Sequence, residues 1–225
     1  MTPRQLGLAE AAGATALVAL ALALADLFAL QGRLGVELGG LLTMAAMIGT
    51  PLLLARLQGW RWDVLAVDPP LPRAVALGLL ASAVVLPPFL IGYDQWQVHV
   101  LGHSRGAGLG LPGAGWWLEQ SALQLAAIAL PEELFFRGYV QGRLAQVLPA
   151  GRRILGVQLG LAALLANLGF ALVHLVAVPS PHRLLVFFPG LLFAWLRGRS
   201  GSAVAAAVCH ACCNLALTGA VRSYG

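Results

Sequence analysis

Three groups of polar side chains interrupt the apolar stretches in the second half of the sequence: Glu132, Glu133 and Arg137; then His174; then His210 with Asn214. An ionisable group inside a membrane span costs roughly 2.5–3.5 kcal/mol on insertion scales, so each needs a partner or a task. Glu133 and Arg137 lie four apart, which places them on one helix face where they can pair. Glu132 points about 100° away from Glu133 and is free to face a bundle interior. His210 and Asn214, also four apart, present a ring nitrogen and an amide on one face. Pro131 leaves a backbone carbonyl without its helical partner, which predicts a bend just before the acidic pair. A carboxylate beside an imidazole can deprotonate water, and His and Asn donors can stabilise an oxyanion in a low-dielectric site. Those groups together suit hydrolysis of an amide.

The elements that must hold these groups are membrane helices. The chain has 225 residues, of which 59% are hydrophobic and 10% charged, with mean hydropathy +0.82. A soluble domain carries about 25% charged residues, so most of this surface must face lipid. Apolar runs of spanning length cover 12–31, 34–57, 74–92, 116–148, 154–178 and 201–219, with a shorter run at 184–197. The fold class is therefore all-α: a polytopic transmembrane bundle of about seven helices with the chemistry in the last four. The first run is long and more spans follow, so it reads as an uncleaved helix and not as a signal peptide. One integral domain, 1–225, is expected.

Turn chemistry separates the runs at Gln31–Arg33, 57–73, 93–115, Pro149–Arg153, Pro179–Arg183 and Arg197–Gly201. Glu133 and His174 are equidistant from position 153.5, inside the fourth of the helix-to-helix turns, so an antiparallel pair would bring Glu132 and Glu133 level with His174. His210 lies about ten residues past the Arg197–Gly201 turn and is expected near mid-membrane, slightly below His174. The net charge of +5 comes from Arg alone, with no Lys. Arg4, the group Arg56, Arg61 and Arg73, the group Arg143, Arg152 and Arg153, and the pair Arg197 and Arg199 alternate with poorer loops, which predicts a cytoplasmic N-terminus and an outer C-terminus. The arginines form no stripe, which excludes nucleic acid as a partner. Cys209, Cys212 and Cys213 read as small buried residues and not as a disulfide framework. Trp60 and Trp62 suit an interfacial belt, and Asp26 is a lone acid in the first helix.

Glu132-Glu133-x-x-x-Arg137, Phe170-x-x-x-His174 and His210-x-x-x-Asn214, in this order on successive apolar segments, resemble the three motifs of the CPBP family. That family comprises CAAX prenyl endopeptidases and bacteriocin-processing or immunity proteins. The resemblance covers about 116–219, the core, while 1–115 carries helices of unassigned role. It implies an intramembrane endopeptidase in which Glu132 activates water, His174 orients it, and His210 and Asn214 form the oxyanion site. Glu133 and Arg137 would be a supporting pair, with Phe170 completing the second motif. It implies no cofactor, with zinc on Glu132, His174 and His210 as the alternative. The implied partners are membrane lipid and a membrane-anchored protein or peptide with a lipidated or transmembrane C-terminal tail. The expected location is the bacterial inner (cytoplasmic) membrane. The predicted orientation sets the site nearer the outer face, which suits a bacterial sorting protease of the myxosortase kind. The alternatives are a non-catalytic immunity or binding protein of the same fold and a small proton-coupled transporter.

Overall fold

Residues 2–58, 66–67, 70–106 and 112–224 are described in the computed structural model, and among them the apolar runs form seven helices. Helix α1 is Pro3–Ala29, α2 is Arg33–Leu57, and α3 is Leu71–Gln95, continued by a wider π turn at Trp96–Val100. Helix α4 runs over 114–147, α5 is Leu161–Ala177, α6 is Phe187–Ser200 and α7 is Ala203–Val221. Trp60, Arg61 and Trp62 lie outside the described residues, as does Asp68.

The ends follow local rules. Thr2 accepts from Gln5 N and the Gln5 side chain returns the bond, a capping box that starts α1 with Pro3 in its first turn. Gly32, at φ 90, turns the chain from α1 into α2. The two helices then pack closely, because a Cβ at Gly39 would collide with Ala25. Gly201, at φ 74, closes α6, and the Ser202 side chain caps α7 at Val204 N.

Pro3–Ala29, Arg33–Leu57, Leu71–Val100 and Ala203–Val221 are each long and apolar enough to cross a membrane. Their outward faces carry exposed Leu20, Leu27, Leu41 and Val84, as lipid contact requires. The chain is an integral membrane protein. Helices α5 and α6 have 17 and 14 residues, fewer than the ~20 that a full span needs.

Two sequence expectations need correction. Pro149–Arg153 does not pass directly into a helix at 154. Strand β1, Arg152–Ile154, pairs antiparallel with β2, Val157–Leu159. Leu155 at φ 47 and Gly156 at φ 82 supply the two positive-φ residues of a tight hairpin turn, and Val157 is buried against Gly198 of α6. The hairpin is one small exception to an all-α architecture. Nor is α4 a regular helix. Segments 123–129 and 134–140 are π-helical, and a short α segment, Leu130–Glu133, lies between them. Pro131 has no N–H to give the carbonyl of Ala127 four residues back, and the ladder on either side shifts to i→i+5 spacing.

Side chains bolt the N-terminal helices to this core. Tyr139 Oη donates to Glu10 Oε1 at 2.6 Å, and Arg143 Nε reaches Glu10 Oε2 at 3.1 Å. At the other end, Asp94 of α3 accepts from Arg105 and from Tyr224 Oη, joining the loop after α3 to the tail of α7. The Asp94 carboxylate raises the Arg105 guanidinium above its ordinary range and raises the Tyr224 phenol as well.

The Glu10 and Arg143 side chains are only 6% and 10% exposed. Replacing Glu10 by Ala takes one acceptor from Arg143, which keeps its bond to Gln146 Oε1, and removes the acceptor of the Tyr139 hydroxyl. The expected cost is about 3 kcal/mol, read as a lower thermal midpoint in detergent; an unchanged midpoint would show that the bolt contributes nothing.

Candidate active site

Glu133 and Arg137 occupy the centre of α4, and both side chains are 0% exposed. Arg137 Nε lies 3.2 Å from Glu133 Oε2, the expected pair. A second partner was not foreseen from spacing: His210 Nδ1–H donates to Glu133 Oε1 at 3.0 Å. One carboxylate therefore bears a guanidinium on one oxygen and an imidazole on the other. Arg137 also lies over the Phe170 ring at 4.6 Å, a cation–π contact that helps to hold a desolvated charge.

The same arrangement sets both histidines. His174 Nδ1–H donates to the Phe170 carbonyl at 2.9 Å. A carbonyl and a carboxylate can only accept, so each ring holds its proton on Nδ1 and turns Nε2 elsewhere. Both Nε2 atoms lie 3.9 Å from the same atom, Glu132 Oε2. That oxygen is buried and has no hydrogen-bond partner among the described residues. The His210 ring stacks on Phe193 at 4.9 Å and 19°, and the His174 ring meets Phe170 edge-on at 4.5 Å. Of the acidic pair, Glu132 alone is reachable: its side chain is 16% exposed and that of His174 is 20%.

Asn214 stands one turn beyond His210 on α7, and its Nδ2 donates to Gln124 Oε1 at 3.0 Å. Asn167, which sequence reasoning missed, is fully buried. It accepts from Arg137 Nη2 at 3.3 Å and donates to the Phe187 carbonyl at 2.7 Å, tying α4 to α5 and α6. A Cβ at Gly190 would strike Asn167 Oδ1, so glycine there makes room for this link. A signal was available: Asn167 precedes His174 by seven, two helical turns along the same face.

Zinc on Glu132, His174 and His210 would draw these side chains closer together than they stand. A tetrahedral ion with bonds of about 2.1 Å draws its ligands to about 3.4 Å apart, less than the 3.9 Å between Glu132 and each imidazole. Among the described residues no group of three His, Cys, Asp or Glu side chains has the spacing of a metal centre.

A membrane bundle with a free carboxylate facing two oriented imidazoles has the make-up of an intramembrane hydrolase. Residues 114–216 match the family described as type II CAAX prenyl endopeptidase Rce1-like. The match bears out, over that segment, the CPBP resemblance of the three motifs, and it points to a CAAX-type intramembrane protease. Comparison with curated proteins gives no match, nor does comparison with solved structures.

Substituting Asn167 by Leu removes the acceptor of Arg137 and the donor to Phe187. Leaving these buried groups unpaired is expected to cost about 2–3 kcal/mol. The thermal midpoint of the purified variant checks this, and wild-type stability would contradict it.

Proposed function

We propose that the protein is a metal-free, glutamic-type intramembrane endopeptidase. It cleaves a peptide bond near the lipidated or transmembrane C-terminal anchor of a membrane-attached protein. The observation that supports this reading is the convergence of His174 Nε2 and His210 Nε2 on Glu132 Oε2, each at 3.9 Å. The gap is too long for a hydrogen bond and suits a bridging water.

Ionised Glu132 and two neutral rings would all be acceptors, and one water can donate to only two of them. Glu132 and Glu133 against Arg137 also leave one net negative charge in a dry site, which is costly. One added proton answers both problems. We place it on His210, whose other nitrogen is held by Glu133. Glu132 then takes a proton from the water as its oxygen attacks the peptide carbonyl carbon, with His174 Nε2 holding the water's second hydrogen. The oxyanion accepts from His210 Nε2–H and from Asn214 Nδ2–H. On collapse the C–N bond breaks, and Glu132 returns its proton to the leaving amine. The products are a free carboxyl end and a free amino end.

His174 lies one turn from the C-terminal end of α5, and short α5 and α6 bring this end of the site toward the bilayer surface. With the arginine-rich turns in the cytoplasm of a bacterial inner membrane, the site opens toward the outer face, as a sorting protease of the myxosortase kind would need.

Purified protein should cleave either a reporter ending in a prenylated cysteine tail or one ending in a transmembrane helix. Glu132→Ala and His174→Ala should each lower the rate at least ~10²-fold, and a chelator should leave the wild type unchanged. Loss on chelation would replace this mechanism with a metal-dependent one. No cleavage of either reporter would favour a binding protein of the same fold.

A further inference from the structure

On a regular α-helix, residues nine apart lie on opposite sides, since nine steps of 100° make two and a half turns. Gln124 and Glu133 are nine apart on α4, yet both reach α7: Gln124 bonds Asn214 and Glu133 bonds His210. The π-helical segment Leu123–Ala129 resolves the conflict. Its i→i+5 ladder holds more residues per turn, so the chain rotates less between the two positions. The widened turn thus presents Gln124 to the same helix as the acidic pair, and π segments of this kind recur at functional sites.

Asn214 follows His210 by one turn of α7, so its amide extends the row of groups beside the Glu132 site. Asn214 Nδ2 carries two hydrogens, and Gln124 Oε1 takes one of them at 3.0 Å. That bond fixes the plane of the Asn214 amide and leaves the second N–H as a donor of defined direction. A side-chain amide unheld in this way would turn freely about its last torsion, which is broad and roughly two-fold.

We infer that Gln124 is a positioning residue of the hydrolytic site, holding the Asn214 amide so that its free N–H meets the oxyanion. The inference rests on the protease reading above. Gln124 acts through Asn214 and accepts through Oε1. Glu at this position keeps the acceptor, whereas Met keeps the length and removes it.

The test measures kcat and KM on the prenylated-cysteine reporter and the transmembrane-anchored reporter side by side. The proteins are wild type, Gln124→Met, Gln124→Glu, Asn214→Ala, the Gln124→Met/Asn214→Ala double variant and Glu132→Ala, each normalised to the folded fraction. Gln124→Met is expected to lower kcat about tenfold, the size of one lost hydrogen bond, with KM within about twofold. Gln124→Glu should restore most of the loss, which a packing role would not allow. The double variant should be no slower than Asn214→Ala, because residues acting as a unit are not additive. If Glu fails to fold at this position, the double variant alone decides. Losses that multiply, or a fully active Gln124→Met, would overturn the inference while Glu132→Ala still upholds the protease. An unimpaired Asn214→Ala would overturn it too. An active Glu132→Ala, or a wild type that cleaves neither reporter, would remove the protease reading and this inference together.

Discussion

The fold is organised around a charge that water cannot reach. Arg137 is fully buried in a bundle whose outer surface meets lipid, and a guanidinium there must be matched before anything else can pack. Glu133 supplies the opposite charge, Asn167 supplies a carbonyl oxygen, and Phe170 supplies a ring face. These partners come from α4 and α5, and Asn167 extends the link to α6 through Phe187. Breaking such a pair by removing one member typically costs 3–5 kcal/mol. The arrangement of three helices is therefore tied to one ion pair.

The groups proposed to react inherit their geometry from that pair. His210 is oriented because Glu133 has a second oxygen to offer. His174 is oriented because Phe170, the ring beneath Arg137, lies one turn before it and lends its carbonyl. Neither imidazole is free to choose its tautomer, and both direct Nε2 at Glu132. The two adjacent glutamates thus divide the work by burial. Glu133 is sealed, whereas the Glu132 side chain is partly open and its buried Oε2 has no hydrogen-bond partner among the described residues.

Much of this was legible in the sequence, because ionisable residues stand out against apolar runs and each helix confines them to a few faces. The Glu133–Arg137 pairing follows from i,i+4 spacing alone. The common depth of the acidic pair and His174 follows from the equal distance of Glu133 and His174 from residue 153.5, and it survives the hairpin because the Leu155–Gly156 turn shifts that centre by only two residues. What was not legible depends on departures from regular geometry or on contacts between distant helices. The π segments of α4 break the 3.6-residue period, so Gln124 reads as facing away from Glu133. The Glu133–His210 bond joins helices 77 positions apart and has no local signature. The β-hairpin at 152–159 rests on two positive-φ residues, one of them Leu155, which pattern alone would not place there.

In the proposed mechanism, neighbouring carboxylates of the same chemistry serve different ends. One comparison tests it most directly: thermal midpoint and cleavage rate of Glu132→Gln beside Glu133→Gln, which change charge with almost no change of shape. Glu132→Gln is expected to keep the wild-type midpoint and lose cleavage, while Glu133→Gln lowers the midpoint by several degrees, as the loss of a buried partner of Arg137 requires. Cleavage that persists in Glu132→Gln, or a Glu133→Gln variant as stable as the wild type, would contradict it.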